Sequence, residues 1–163
     1  PRPAIQRIPQ GEVMKRILLV ALALMSSGCS EQIAVSQDDP NIEQIKAVYM
    51  AYVQDFIEND FEGIASHFQT PVMRRGPTRI AMTPDDLMDG YRDDKENIQE
   101  GYKYSTIDRL DVYKLASTVY YADADYTRFN DQDEIIFQGR SLYYFTNESG
   151  SWKMFAMGPV ERD

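Results

Sequence analysis

The sequence predicts an α+β fold: about three helices packed on one face of a strongly curved, mainly antiparallel sheet of about five to six strands. Three observations predict it. Ile45, Tyr49, Tyr52 and Phe56 recur at i, i+4, i+7 and i+11, so an amphipathic helix with an aromatic stripe opens the body of the chain. After Tyr102 the apolar period switches to two. Helical segments come first and a run of strands last, an order that places the helices together on one side of the sheet.

The 163 residues suffice for one domain with its own core. Residues 1–13 are set aside as upstream sequence, with Met14 expected as the start. Met14-Lys15-Arg16 is a short basic region, and Ile17–Met25 is a run of nine apolar residues. That run is too short for a bilayer core of about 30 Å and has the order of a secretory signal. Residues 14–29 are therefore read as a signal peptide. Ser26-Ser27-Gly28-Cys29 resembles the lipobox of bacterial lipoproteins, with Ser26 standing where that family usually has Leu. Cys29 is the only cysteine, so it has no partner for an internal disulfide and lipidation is its expected role. The expectation is an exported domain, lipid-anchored to a bacterial membrane and facing the periplasm or the exterior. Residues 30–40 are a polar tether reaching at most about 35–40 Å, residues 41–158 the domain, and residues 159–163 a tail. From Ser30 onward there are 25 acidic and 13 basic side chains, a net charge of −12, which argues against nucleic acid as a partner.

Within the domain, Val48 and Val53 widen the helical stripe. Asn59-Asp60 breaks it, since Asn tolerates the left-handed conformation and Asp60 caps a new turn. Phe61, Ile64, Ala65 and Phe68 are expected to face inward from a second helix that Gln69-Thr70-Pro71 ends. Val72–Gly76 and Ile80–Met82 read as short extended pieces. Thr83-Pro84-Asp85-Asp86 is a helix start, followed by Leu87, Met88 and Tyr91, with Gly101 as its stop. Four strands follow, at Tyr104–Tyr113, Ala116–Arg128, Glu134–Asn147 and Ser151–Met157. In the second of them Tyr120, Ala122, Ala124 and Tyr126 share one face, and Tyr121, Asp123 and Asp125 the other.

The run from Tyr52–Phe56 through Asn59-Asp60-Phe61-Glu62-Gly63-Ile64 to His67-Phe68-Gln69-Thr70-Pro71-Val72 resembles the opening of SnoaL-like domains in the nuclear transport factor 2-like superfamily. Ser151-Trp152-Lys153-Met154-Phe155, after the Arg140–Phe145 strand, resembles its last strand. The resemblance covers about Asn41–Met157. It implies a cone, a bent sheet wrapped around helices with a pocket at the open end, and frequent dimerisation through the sheet. It does not imply one activity, because the superfold hosts isomerases, cyclases, dehydratases and binding modules. The pocket is expected to involve Tyr49, Tyr52, Phe56, Phe68, Met73, Arg74, Tyr91 and Trp152.

Candidate chemistry is thin. His67, the only histidine, is a candidate general base. Members resembling ketosteroid isomerase take an oxyanion donor from the first helix, matched by Tyr49 or Tyr52. Their Asp base falls near Met73 and Arg74, where no carboxylate stands. Asp123 or Asp125 substitutes only if it points inward, where burial would raise its pKa. Arg74-Arg75 sends one guanidinium to each face, for a ligand anion or for Asp85 or Asp86. Asn130–Glu134 lacks the central Gly and the twelfth-position acid of a calcium loop. One His and one Cys make no metal site, and no phosphate loop or nucleophile elbow is present, so no metal and no cofactor is expected. The reading favours a small-ligand-binding or interaction domain without catalysis. The competing reading is a cofactor-independent isomerase or hydro-lyase for an apolar carbonyl substrate.

Overall fold

The computed structural model describes residues 39–75 and 79–161. The signal-like segment, Cys29 and most of the tether lie outside the described residues, as do the last two residues of the tail. Helix α1 (Pro40–Glu58) starts where Asp39 accepts a hydrogen bond from the Asn41 N–H, with Pro40 in the first turn. It ends at Asn59, which adopts φ 60°. Ile42, Ile45, Tyr49, Tyr52 and Val53 are its buried face. Asp60 caps α2 (Phe61–Ser66) by accepting from the Gly63 N–H. Helix α3 (Pro84–Glu96) carries a full capping box: Thr83 accepts from the Asp86 N–H and the Asp86 carboxylate accepts from the Thr83 N–H. It closes at Asn97, earlier than the Gly101 stop read from the sequence.

Six strands form one mixed sheet in the order β2-β1-β6-β5-β4-β3, made of β1 (Phe68–Arg74), β2 (Arg79–Ala81), β3 (Tyr104–Ala116), β4 (Val119–Phe129), β5 (Ile135–Thr146) and β6 (Lys153–Pro159). Neighbours are antiparallel except β1 and β6, which run parallel. The three helices pack on this curled sheet, giving the predicted α+β fold.

One element departs from expectation. Phe68 and Gln69-Thr70-Pro71 are not the end of α2 but the start of β1. His67 already caps the helix, and Pro71 has no N–H to continue it. Pro71 instead falls where the β1–β6 register shifts, between Phe68↔Met154 and Met73↔Ala156, so no ladder bond is asked of it. A second irregularity lies between Ile107 and Arg109 of β3, where Asp108 has no partner in the register. That bulge reverses the alternation, sending Ser105 and Ile107 toward the cavity while Arg109 and Asp111 meet the outer face of β4.

The core is aromatic at both ends. Tyr120 packs edge-on against Trp152, with centroids 5.0 Å apart, and its hydroxyl donates to Asp39 at 2.5 Å. At the other end Tyr49, Tyr52, Tyr91 and Tyr143 meet beneath an opening between helices and sheet.

Candidate functional site: a tyrosine-floored cavity

A cavity of about 330 Å³ lies between α1, α3 and the inner face of β3–β6, near the lower bound of ligand sites, about 300 Å³. Its buried end is four tyrosines, each 5% exposed or less: Tyr49, Tyr52, Tyr91 and Tyr143. The Tyr49 and Tyr143 rings meet edge-on at 4.9 Å, and Tyr52 crosses Tyr91 at 6.1 Å. The Tyr91 hydroxyl donates to the Tyr52 hydroxyl at 3.1 Å and approaches the Met157 sulfur at 3.2 Å. Burial pushes the phenols of Tyr49, Tyr52 and Tyr143 well above their ordinary range. It raises Tyr91 too, against the opposing pull of Arg74. All four stay protonated near neutrality, and so remain donors.

The walls are Phe56, Ile98, Ile107, Tyr126 and Phe137. Gly139 faces Tyr126 across β4–β5, and a Cβ there would lie 2.5 Å from the Tyr126 ring and 2.7 Å from Phe137. Only glycine lets both rings lie over this strand. The rim is polar: Arg75, Asp94, Asn97, Gln99, Ser105 and Arg128. Asp94 is the only carboxylate among the described residues of the lining and is not free: it pairs with Arg74, with Arg75 at 3.5 Å and with Arg79 at 3.9 Å.

Of the residues picked from the sequence, Tyr49, Tyr52, Phe56 and Tyr91 line this cavity, and Phe68, Met73, Arg74 and Trp152 do not. Phe68 is buried one layer behind, edge-on to Tyr52 at 5.6 Å. Met73 points outward from β1 and is 43% exposed. Arg74 is buried against Tyr91 and held by Asp94, not by Asp85 or Asp86, so Arg75 is the neighbour that reaches the cavity. Trp152 belongs to the opposite end of the core. His67 does have a carboxylate partner, Asp55 at 2.7 Å, but the couple ties α1 to the end of α2 outside the lining. Asp123 and Asp125 face away from the cavity. Asp123 accepts two bonds from Arg140, at 2.8 and 2.6 Å, and Arg109 reaches both acids. Arg140 first, then Arg109, hold the Asp123 carboxyl below its ordinary range, the reverse of what a general base needs.

Residues the sequence reading missed are Tyr143, Asp94, Gln99 and Arg128. Two carried a legible signal. The alternation Tyr120, Ala122, Ala124, Tyr126 lands next on Arg128, and in β5 Tyr143 is two residues before the buried Phe145.

The sequence profile of a family described as an NTF2-like protein (DUF6841) matches residues 42–162. The chain belongs to that family. Solved structures agree on the NTF2-like fold and, at such low identity, on the fold alone. One is a cystatin-like-fold protein of unknown function from Nostoc punctiforme, 13% identical, TM-score 0.61, covering 72% of this chain and 87% of that one. A second is an NTF2-like protein of unknown function from Pseudomonas putida, 12% identical, TM-score 0.60, covering 75% and 87%. A third is a ketosteroid isomerase-like protein from Erwinia carotovora atroseptica, 15% identical, TM-score 0.54, covering 76% and 99%. No curated protein matches the chain. The NTF2-like family thus accounts for the cone and leaves its contents to the side chains.

Proposed function

We propose that this NTF2-like, SnoaL-resembling domain binds a small, largely apolar molecule in the cone and does not transform it. One observation carries the reading: among the described residues, the cavity has four neutral phenols to orient a ligand and no acid–base pair to react with it. The Asp94 carboxylate in its lining is occupied by arginines, and the histidine–carboxylate couple stands elsewhere. Native mass spectrometry of the gently purified full chain, with thermal-shift screening of apolar compounds, tests this. Retained or stabilising small molecules that emerge chemically unchanged support it; turnover of any of them overturns it.

The second reading, an isomerase or hydro-lyase, is favoured by the Tyr91–Tyr52 hydroxyl pair, which would polarise a carbonyl. It lacks a base. Exchange of α-protons of a cyclic ketone for deuterium, faster with the protein than with the Tyr52→Phe variant, would establish it.

We further propose that the domain is exported and lipid-anchored at Cys29, on the strength of the basic, apolar and small-residue order before it. Mass spectrometry of the mature N-terminus decides between an acylated cysteine and a free one. A homodimer through the sheet would bury the Arg109, Asp111, Asp123, Asp125 and Arg140 network, whose ion pairs are already made within one chain and which carries three carboxylates to two guanidiniums. Light scattering at micromolar concentration is expected to find no tight dimer.

A further inference from the structure

We infer that the molecule held in the cone is an apolar carboxylate, a monoanion seated on the guanidinium of Arg128. The inference rests on the reading above that the cavity binds a small molecule, and names the class.

The seven described arginines divide unevenly. Arg74, Arg75, Arg79, Arg92, Arg109 and Arg140 each form an ion pair with an aspartate. Arg128, on the cavity wall, forms none among the described residues. Carboxylates are not scarce in a chain of net charge −9. A guanidinium cannot shed its charge as a lysine can, so Arg128 is a fixed cation beside an apolar cavity.

Its surroundings hold it there without neutralising it. The guanidinium carbon lies 5.2 to 5.9 Å from the ring centroids of Phe56, Tyr102, Tyr126 and Phe137. One N–H reaches the Gln99 carbonyl oxygen at 2.5 Å, and Nε is buried without an acceptor among the described residues. Gln99 fixes the direction of the group but brings no charge. Against the same two rings Lys95 stands 4.4 Å from the Phe56 centroid and 4.6 Å from that of Tyr102, with its ammonium donating to the Phe56 carbonyl. Two cations therefore share one aromatic wall, and their mutual repulsion would be relieved by an anion arriving from the cavity.

The class follows from the count. Arg75, the other guanidinium in the described lining, has a carboxylate, Asp94, which it shares with Arg74 and Arg79. Arg128 has none among the described residues, and a single guanidinium fork takes a single carboxylate, hence a monoanion. A planar five-donor fork matches a carboxylate. The rest of the ligand faces Ile107, Tyr126, Phe137 and the phenols at the buried end.

The test uses the full chain and two probes of one shape, 2-naphthoate and 2-naphthamide, with inorganic phosphate as a third arm, followed by calorimetry. The acid is expected to bind about tenfold or more tighter than the amide, the worth of a charge-assisted hydrogen bond. Arg128→Met should abolish that preference, bringing the acid down to the affinity of the amide or below it, Arg128→Lys should keep part of it, and melting curves establish that both variants fold. Amide binding equal to that of the acid, an acid preference surviving in a folded Arg128→Met, or phosphate binding tighter than naphthoate would overturn the inference and leave the binding cavity standing. Binding of none of the probes would overturn it together with the reading beneath it.

Discussion

The guanidinium carbon of Arg74 lies 4.1 Å from the centroid of the Tyr91 ring, and the same group pairs with Asp94 one helical turn further on. The geometry joins the first strand to α3 and sets the tilt of a cavity tyrosine. Gly90, immediately before Tyr91, makes the room, because a Cβ there would run into Nη1 of Arg74. The arginine has no freedom to give way: it is 7% exposed and held at its charged end.

Gly90→Ala is therefore expected to destabilise the domain by about 1–3 kcal/mol, the usual size of overpacking. Helix propensity alone predicts the opposite, a gain of about 1 kcal/mol for replacing glycine inside a helix. The sign of the change in a denaturant melt separates the two. A more stable variant would mean that Arg74 is not held in place.

Phenol ionisation should unfold the protein at high pH. The buried phenols of Tyr49, Tyr52 and Tyr143 titrate well above the ordinary 10.0 in the fold and near it in the unfolded chain. Between those values the folded state binds more protons, so this contribution is complete below about pH 10 and is lost as pH rises beyond it. Phenolate absorbance should rise in two steps, the later one coincident with loss of near-ultraviolet circular dichroism. A single step with the fold intact would contradict the burial argument. Tyr52→Phe should cost about 1 kcal/mol for the lost hydroxyl pair.

Lys95 has the opposite sign. Burial first, and the Arg128 charge second, bring its pKa from 10.5 down to about 8. Facing it are the Arg128 guanidinium from β4, the Phe56 carbonyl from α1 and the phenol of Tyr102. Below about pH 8 both states carry the proton and the strain of the charged form is fully felt. As pH rises through that value only the folded state sheds it, and stability increases. Wild-type melting temperature should climb from about pH 8 toward pH 10 relative to Lys95→Met, whose profile lacks that limb. Parallel profiles would show that Lys95 is not perturbed. Over the same interval naphthoate binding should weaken as the second cation disappears.

On the outer face the acid limb belongs to Asp123. Its carboxyl is held low by Arg140 and then Arg109, so its stabilisation is present above the ordinary carboxylate value of 3.8 and lost as pH falls through the lowered one. Arg140→Gln removes the larger of the two causes and is expected to move the acid-unfolding midpoint upward. An unchanged midpoint would assign the acid limb to other carboxylates.

Much of the fold was legible because its signals are short-range. The aromatic stripe of α1, the left-handed Asn59, the Asp60 and Thr83 caps and the alternation of β4 each depend on residues within four positions of one another. The misreading of Phe68–Pro71 was also local: an apolar residue after a helix looks like another turn until β6 supplies a parallel edge to pair with. Half the expected pocket residues failed for a related reason. Alternation says which face Arg74 and Arg75 occupy, not which face the curled sheet turns toward the cavity.

Sequence alone determined the class of fold, the acidic body and the aromatic character of the interior, since composition and periodicity carry these. Tertiary structure decided which charges are satisfied. Asp94 lies 20 residues from Arg74 and Arg109 lies 16 from Asp125, pairs that only helix packing and strand register bring together. The same arrangement leaves Arg128 without a carboxylate among the described residues, which cannot be seen until every pairing around it has been placed.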